Sequence, residues 1–395
     1  MNNPVLKKVR FDNYKRFFKA EELELRPVTI LVGKNSSGKS SVARLFPMLR
    51  CSLVETAKTP ISFVNDGVSL GSSFGNLCHN GNSVGLSFGV TFDTGMSVDM
   101  QLITSKGTDV YVQSYSVINQ GHQYLFKLHK KKDEIVYISE QGDCEFSNDF
   151  RGFVHGGIFE RLGIQSQLAQ CIDYIGPIRE LPARSYYYTN SGRDNFVGKN
   201  GSRAYSMLYE DKILTQRVSS WFERTMGGCK LKVADTSEAG VYQVLLNKRD
   251  QKSYDVNIAD EGMGIGQILP IIVRCLQPIA NSIVVIEQPE LHLHPAAHRD
   301  LAMLFAETSK QNNHTYVVET HSENVLLGLR EAIVDNKIDF NAKDAIIYFV
   351  DENEDGAYLR KIEIDDEGML SDWPQGVFNE SYEILNQIMQ KAGKK

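Results

Sequence analysis

The sequence lacks any apolar run of the roughly 18 residues that a membrane-spanning helix needs, and residues 1–4 have no apolar stretch of the signal-peptide type. A basic excess is missing too, because the formal net charge is −6. There is no internal repeat, and no heptad run is long enough for an extended coiled coil. The cysteines show no C-x-x-C spacing and stand at positions 51, 78, 144, 171, 229 and 275. These absences predict a cytoplasmic protein with no membrane partner, no zinc site and no disulfide frame, and they exclude a globally basic nucleic-acid binder while leaving a local basic patch open.

The composition is that of a globular α/β protein. Hydrophobic residues make up 42% of the 395 residues and charged residues 23%. Strand-like alternation and β-rich stretches dominate up to about residue 137, and residues 140–255 are mixed, with helical spacing near Ile158–Ile172 and Leu208–Met226. After 256, strands alternate with helices in the pattern of a doubly wound sheet. We therefore predict three units: a β-rich N-terminal lobe (1–140), a mixed helical insert (141–255) and a doubly wound C-terminal lobe (256–395).

A glycine-rich loop follows the apolar run Val28–Val32 and precedes a predicted helix from Ser40 to about Leu53. Its glycines let main-chain N–H groups turn toward phosphate oxygens, the lysine can reach the β- and γ-phosphates, and the first serine of the helix can bind Mg²⁺. This strand, loop and helix predict a Walker A site for a nucleoside triphosphate. The predicted binding residues are Gly33, Lys34, Asn35, Ser36, Ser37, Gly38, Lys39, Ser40 and Ser41.

Two further apolar strands end in polar side chains. Ser282–Glu287 is typical of a Walker B strand, and Glu287 is predicted to bind the Mg²⁺ with Ser40, through water. The run that ends at Glu319 is followed by His321, which can donate to the γ-phosphate or to attacking water. Taken alone, each run also fits an ordinary strand with a polar turn.

Glycines at positions 262, 264 and 266 precede an apolar helical pattern. The exposed N–H groups at such a helix start can bind phosphate. A flexible loop before a helix is the alternative, and on this motif alone it is the better interpretation.

Together these motifs resemble the ABC-type ATPase heads of the SMC, RecF, RecN and OLD group, and more narrowly the stand-alone AAA-like or OLD-like ATPases with a DUF3696-type pattern. The resemblance covers nearly the whole chain and is weakest across 90–170 and 182–255. The segments that carry it are Asn13–Phe17, Phe74–Gly81, Tyr174–Glu180, Glu287–Pro295, Glu319–Asn324 and Trp373–Phe378.

The resemblance implies a head-to-tail dimer with ATP and Mg²⁺ between the subunits. Each site would combine the Walker A loop of one subunit with the signature loop of the other, here Gly264, Gly266 and Gln267. The customary signature serine is absent. His321 matches the switch histidine of such heads.

Gln288 stands where many ABC ATPases have the glutamate that polarises the attacking water. A glutamine can orient water but is a poor proton acceptor. We therefore expect slow hydrolysis and a long-lived ATP-bound dimer, with Glu290 as the candidate replacement base. The predicted catalytic residues are Gln288, Glu290 and His321.

Stand-alone heads of this kind commonly act with a separate nuclease or toxin in phage defence, and by resemblance we expect an ATP-gated sensor or scaffold. The acidic run Asp365–Glu367 fits a solvated turn better than a nuclease metal site. A DNA-repair ATPase that binds DNA directly is the alternative, and a transporter subunit is disfavoured by the Glu287–Pro295 motif. The basic face of the DNA-binding alternative would use Lys7, Lys8, Arg10, Lys127, Lys130, Lys131 and Lys132.

Overall fold

The computed structural model describes residues 4–53, 59–81, 85–105, 109–131, 134–142, 144–147, 150–164, 168–188, 195–248, 254–335 and 337–372. Lys132 and the Trp373–Phe378 motif lie outside these residues. In the part described, no helix has the length and apolar character to cross a membrane.

The strands alternate with helices mainly in the last third of the chain. The strands are β1 (Leu6–Asp12), β2 (Glu21–Glu24), β3 (Val28–Gly33), β4 (Val64–Asn65), β5 (Val68–Ser69), β6 (Leu86–Phe92), β7 (Ser97–Ser105), β8 (Asp109–Asn119), β9 (His122–Lys131), β10 (Glu134–Ser139), β11 (Glu145–Ser147), β12 (Phe150–Arg151), β13 (Val154–His155), β14 (Cys171–Ile175), β15 (Tyr186–Tyr187), β16 (Lys230–Asp235), β17 (Val241–Lys248), β18 (Tyr254–Asn257), β19 (Ser282–Glu287), β20 (Thr315–Glu319), β21 (Ala345–Asn353) and β22 (Gly356–Ile362). The helices are α1 (Lys39–Ala43), α2 (Leu45–Ser52), α3 (Phe74–Leu77), α4 (Gly156–Leu162), α5 (Ala204–Glu210), α6 (Lys212–Thr225), α7 (Met263–Leu276), α8 (Pro295–Gln311) and α9 (Glu323–Val334).

Two large sheets organise these elements. An antiparallel sheet has the order β11-β10-β9-β8-β7-β6-β1-β2, and a second sheet has the order β14-β19-β20-β3-β21-β22. In the second sheet every pairing is parallel except that of β22, which runs antiparallel to β21. This sheet takes strands from all three of the predicted units. The fold class predicted from the sequence, an α/β protein with a β-rich N-terminal part and a doubly wound C-terminal part, is confirmed.

The parallel sheet is covered on both faces, as the continuous apolar runs of β3 and β19 predict. Every residue of these two strands is buried. Because side chains alternate along a strand, Leu31 packs in the core beneath the antiparallel sheet, whereas Ile30 and Val32 pack with α7 and α8 on the other face. The loops at the carboxyl ends of the parallel strands are therefore held from both sides.

Three local expectations need correction. The helix after the glycine-rich loop is two helices, α1 and α2, because Pro47 has no N–H to donate to Ala43 and its ring crowds that carbonyl. The predicted helical stretch near 208–226 is broken at Asp211, whose side chain caps α6 by accepting from Ile213 and Leu214.

The third correction concerns residues 158–172, where the spacing predicts one helix. The structure ends α4 at Leu162 and places Cys171–Ile175 in β14, at the edge of the parallel sheet. All residues of β14 after Cys171 are buried, so this short apolar run could not be distinguished from a buried helix by its periodicity.

Candidate functional site

The glycine-rich loop lies at the carboxyl end of β3 and has the backbone that its sequence requires. Gly33 and Gly38 have φ of 149° and 118°, a region that favours glycine. A Cβ on Gly33 would lie 2.5 Å from the carbonyl oxygen of Val350, and one on Gly38 would lie 3.1 Å from the Phe17 ring. The loop is thus closely fitted between β21 and the Phe17 ring.

Lys39 is the first residue of α1, and its side chain folds back across the loop. Its Nζ donates to the carbonyl oxygens of Gly33 at 2.9 Å and Lys34 at 2.6 Å. The residue is only 3% exposed, and this burial lowers its pKa although the nearby charge of Glu319 opposes the change. The ammonium group is therefore held over the loop, where phosphate oxygens of a bound nucleotide would lie.

Two carboxylates lie side by side at the ends of β19 and β20, because Glu287 and Glu319 are register partners in this parallel pair. Glu287 Oε1 accepts from the Tyr174 hydroxyl at 2.6 Å and lies 3.3 Å from Arg44 Nε. Glu319 Oε1 instead accepts from the Ser40 hydroxyl at 3.0 Å.

Glu319 is therefore the acid whose side chain contacts Ser40, while the predicted water-mediated binding of Mg²⁺ by Glu287 stays a prediction. The sequence interpretation missed Glu319, although the same signal, an apolar strand ending in an acid, marks both residues. Burial raises the pKa of Glu319 from an ordinary 4.5 to about 7, and the charge of Glu287 adds to this effect.

The donors at this place fit a magnesium ion. Mg²⁺ prefers hard oxygen ligands, and the Ser40 hydroxyl and Glu319 carboxylate both line one cavity of about 230 Å³. Glu319 is 2% exposed, and its Oε2 has no hydrogen-bond partner among the described residues. The cavity is lined by Arg16, Asn35, Ser36, Gly38, Lys39, Ser40, Ser41, Gln288, Glu319 and His321.

Gln288 and His321 face this cavity from the strand ends. Gln288 has a left-handed φ of 48°, and its main-chain N–H donates to the Glu319 carbonyl at 2.7 Å. Burial and the charge of Lys39 lower the pKa of His321, so its imidazole is neutral near pH 7. Both side chains are placed to contact the end of a triphosphate or the water that attacks it.

Glu290 lies behind His321. Its Oε1 accepts from the His321 main-chain N–H at 2.7 Å, and its Oε2 has no hydrogen-bond partner among the described residues. In this position Glu290 orients the main chain at His321. Its role as a base stays a prediction.

Arg179 is a site residue that the sequence interpretation did not single out, although it lies in the Tyr174–Glu180 motif. Its Nη2 donates to the main-chain carbonyls of Glu287 at 2.7 Å and Gln288 at 3.2 Å. Burial lowers its pKa to about 10, which leaves the guanidinium charged at neutral pH. Arg179 thus fixes the end of the Walker B strand.

The predicted signature residues lie on the first turn of α7. The Gln267 side chain is buried and bonds both main-chain groups of Arg179, at 3.3 Å and 3.1 Å. Cβ atoms on Gly264 and Gly266 would lie 2.7 Å from the His292 carbonyl oxygen and 2.5 Å from Pro182 Cδ. This turn is therefore packed between the loop that follows β19, here called the Walker B loop, and the segment after β14. Its contact with a partner's nucleotide stays a prediction.

Comparisons with known proteins agree with this architecture. Residues 208–326 match the family described as AAA ATPase domain, and residues 340–388 match DUF3696, a family of proteins of unknown function. None of the curated proteins matches the sequence.

Solved structures of SMC head domains are similar in fold. A structure of the SmcHead bound to the C-winged helix domain of ScpA has a TM-score of 0.51 at 11% identity, over 91% of this chain and 98% of that chain. The head from Thermotoga maritima has a TM-score of 0.46 at 12% identity, over 91% of this chain and 100% of its own. A Pyrococcus furiosus head with an extended coiled coil has a TM-score of 0.48 at 11% identity, over 98% and 100%.

The fold is that of an ABC-type ATPase head, as SMC proteins have it. By sequence, residues 208–326 are similar to AAA ATPase domains and residues 340–388 are similar to DUF3696 proteins.

Proposed function

We propose that this chain is an ATP-binding head that hydrolyses ATP slowly and acts as a nucleotide-gated sensor or scaffold for a separate effector. The observation that supports this proposal most is the convergence of Lys39, Ser40, Glu319, Gln288 and His321 on one cavity. These side chains come from three neighbouring strands of the parallel sheet and the loops that follow them.

Each group has a role in this proposal. The loop N–H groups and Lys39 bind the phosphates, and Ser40 with the strand-end carboxylates would hold Mg²⁺, which neutralises charge on the β- and γ-phosphates. Neutral His321 donates to the γ-phosphate, and Gln288 orients water. Since a glutamine amide is a poor proton acceptor, the chemical step is slow.

The test is nucleotide binding and single-turnover hydrolysis by the wild type and by Lys39→Ala. The wild type should bind a fluorescent ATP analogue in the presence of Mg²⁺, and Lys39→Ala should lose this binding. Lys212→Ala, an exposed lysine on α6, is the matched control and should bind as the wild type does. A wild type that binds no nucleotide would refute the proposal.

Pairing with a second copy is part of the proposal, because the described residues that line the cavity in one chain include none of the predicted signature residues. The first turn of α7 offers a phosphate contact, with Met263 52% exposed on it. ATP with Mg²⁺ should therefore convert the protein to a dimer in light scattering, and Lys39→Ala should not respond.

A separate effector is supported by two observations. Among the described residues there is no group of three or more His, Cys, Asp or Glu placed to hold a metal ion, and Asp365 of the acidic run Asp365–Glu367 caps its own turn, accepting from the main-chain N–H groups of Glu367 and Met369. The similar SmcHead structure contains a bound domain of another protein, ScpA.

We propose that this effector is a nuclease or toxin and that the pair acts in phage defence. Cells that express the chain with its neighbouring genes should resist phage infection in plaque assays, and Lys39→Ala should abolish this resistance. Equal plaque counts with and without the genes would contradict it.

Direct DNA binding is the second candidate function. The structure weakens the case for its basic face, because three of the basic residues are paired with acids. Lys8 pairs with Glu22, Arg10 with Asp99 and Lys127 with Glu140. The described residues of the two basic groups lie on β1 and β9, which are four strand spacings or about 19 Å apart. Steeply salt-dependent DNA binding would favour this candidate over the first.

A further inference from the structure

The carboxyl end of the parallel sheet places its two acids at different distances from the phosphate loop. β20 lies between β19 and β3, and neighbouring strands are about 4.8 Å apart. Glu319, at the end of β20, is thus one strand away from the loop, whereas Glu287, at the end of β19, is two strands away.

The hydrogen bonds of the two acids also distinguish Glu319 as the one that contacts Ser40. Glu319 Oε1 accepts from Ser40, and its Oε2 has no partner in the part of the chain that the structure describes. Glu287 Oε1 is engaged by the Tyr174 hydroxyl and the Arg44 guanidinium. A buried carboxylate oxygen without a donor is costly, and a cation beside it removes that cost.

We infer that Glu319, rather than the Walker B residue Glu287, is the carboxylate that contacts the magnesium ion of bound ATP together with Ser40. Glu287 is held back from the ion by Tyr174 and Arg44 and acts on it only through water. This inference rests on the proposed function, since it concerns the metal of the same nucleotide site.

The test measures metal affinity directly, with Mn²⁺ in place of Mg²⁺. Electron paramagnetic resonance distinguishes free from bound Mn²⁺ and so gives the dissociation constant of Mn²⁺ in the presence of a non-hydrolysable ATP analogue. Glu319→Gln should weaken Mn²⁺ binding by at least about tenfold, and Glu287→Gln should weaken it by clearly less. Glu323→Gln, which removes an exposed acid at the start of α9, should bind Mn²⁺ as the wild type does.

Glu319→Asp keeps a carboxylate on a shorter side chain and should recover part of the lost affinity. Binding of the analogue in EDTA should be unchanged in Glu319→Gln, because the phosphate contacts of Lys39 and the loop remain. Circular dichroism establishes that each variant is folded, and if Glu319→Gln is not, Glu319→Ala, which also removes the carboxylate, takes its place in the comparison with Glu287→Gln.

Wild-type Mn²⁺ affinity in the folded Glu319 variant, or a larger loss in Glu287→Gln, overturns the inference. This failure is distinct from that of the proposed function, in which the wild type itself would bind neither the analogue nor Mn²⁺ with it.

Discussion

At the scale of single residues, Gln288 is the residue that we propose limits hydrolysis after ATP has bound. Its left-handed backbone and its hydrogen bond to Glu319 hold it at the cavity. The amide can orient a water molecule there but cannot take its proton.

Gln288→Glu should therefore raise the single-turnover rate of ATP hydrolysis, by roughly 10- to 100-fold, because a general base then faces the water. Glu290→Gln tests the predicted base: its amide oxygen can still accept from the His321 N–H, so a fall in the rate would report the loss of a base, and an unchanged rate would leave Glu290 with its positioning contact alone. If neither variant changes the rate, the missing base is not the reason for slow hydrolysis.

His314 makes the stability of the fold depend on pH. It is buried before β20, and burial together with the charge of Arg274 lowers its pKa from an ordinary 6.5 to about 3. Between pH 6.5 and 3 the unfolded chain binds a proton that the folded chain excludes, so the free energy of unfolding falls as the pH falls through this window.

From pH 7 to pH 5 this histidine should remove about 2 kcal/mol of stability. In urea unfolding from pH 7 to pH 5, the free energy of unfolding of His314→Gln should fall by about 2 kcal/mol less than that of the wild type, even if the variant is less stable at pH 7. His122→Gln, at an exposed position on β9, serves as control. Parallel pH profiles for the wild type and His314→Gln would contradict the assignment.

At the scale of elements, the first turn of α7 connects the parts of the site. It touches the Walker B loop through Gly264 and His292, and it holds Arg179 through Gln267. Arg179 in turn binds the carbonyls at the end of β19.

Gly264→Ala should disturb this connection, because its Cβ would meet the His292 carbonyl oxygen at 2.7 Å. We expect a loss of about 1–3 kcal/mol in the free energy of unfolding and slower hydrolysis with ATP binding retained. Gly262 is the N-cap residue of α7, two residues before Gly264, and a Cβ there has nothing within 4 Å. Gly262→Ala should therefore lower the free energy of unfolding by at most about 1 kcal/mol. Equal losses in the two variants would contradict a close fit at Gly264.

At the scale of the whole molecule, the proposed head-to-tail pairing of two heads makes a prediction of its own. In a head-to-tail dimer each site takes Lys39 from one subunit and the α7 turn from the other, whereas in a head that works alone the Lys39 cavity has no contribution from a partner's α7 turn. Complementation between two inactive variants distinguishes these cases.

Lys39→Ala disables the phosphate loop, and Met263→Glu places a negative charge on the exposed first turn of α7. Each variant alone should be inactive. An equimolar mixture should regain ATPase activity, up to about a quarter of the wild-type value, because only mixed dimers contain an intact site and each of them contains one. A mixture as inactive as its components would exclude the head-to-tail arrangement.

The sequence by itself determined the phosphate loop, the two apolar strands ending in Glu287 and Glu319, and the order of strands and helices after residue 256. These features depend on local chemistry: glycine at positive φ, buried apolar strands, and lysine and serine at fixed spacing. The same local signals could not separate a short buried strand from a helix at Cys171–Ile175, because both are continuous apolar runs.

Only the tertiary structure decided which acid lies beside Ser40 and which groups hold the other. The order β19-β20-β3 brings together strands that are nearly 300 residues apart in the chain, and β14 brings Tyr174 and Arg179 to the end of β19. Strand order in a parallel sheet follows from how helices pack across its faces, and no local sequence pattern encodes it. Glu287 ends the strand whose sequence pattern predicts a metal ligand, but the neighbouring strand β20 places Glu319 next to Ser40 of the phosphate loop.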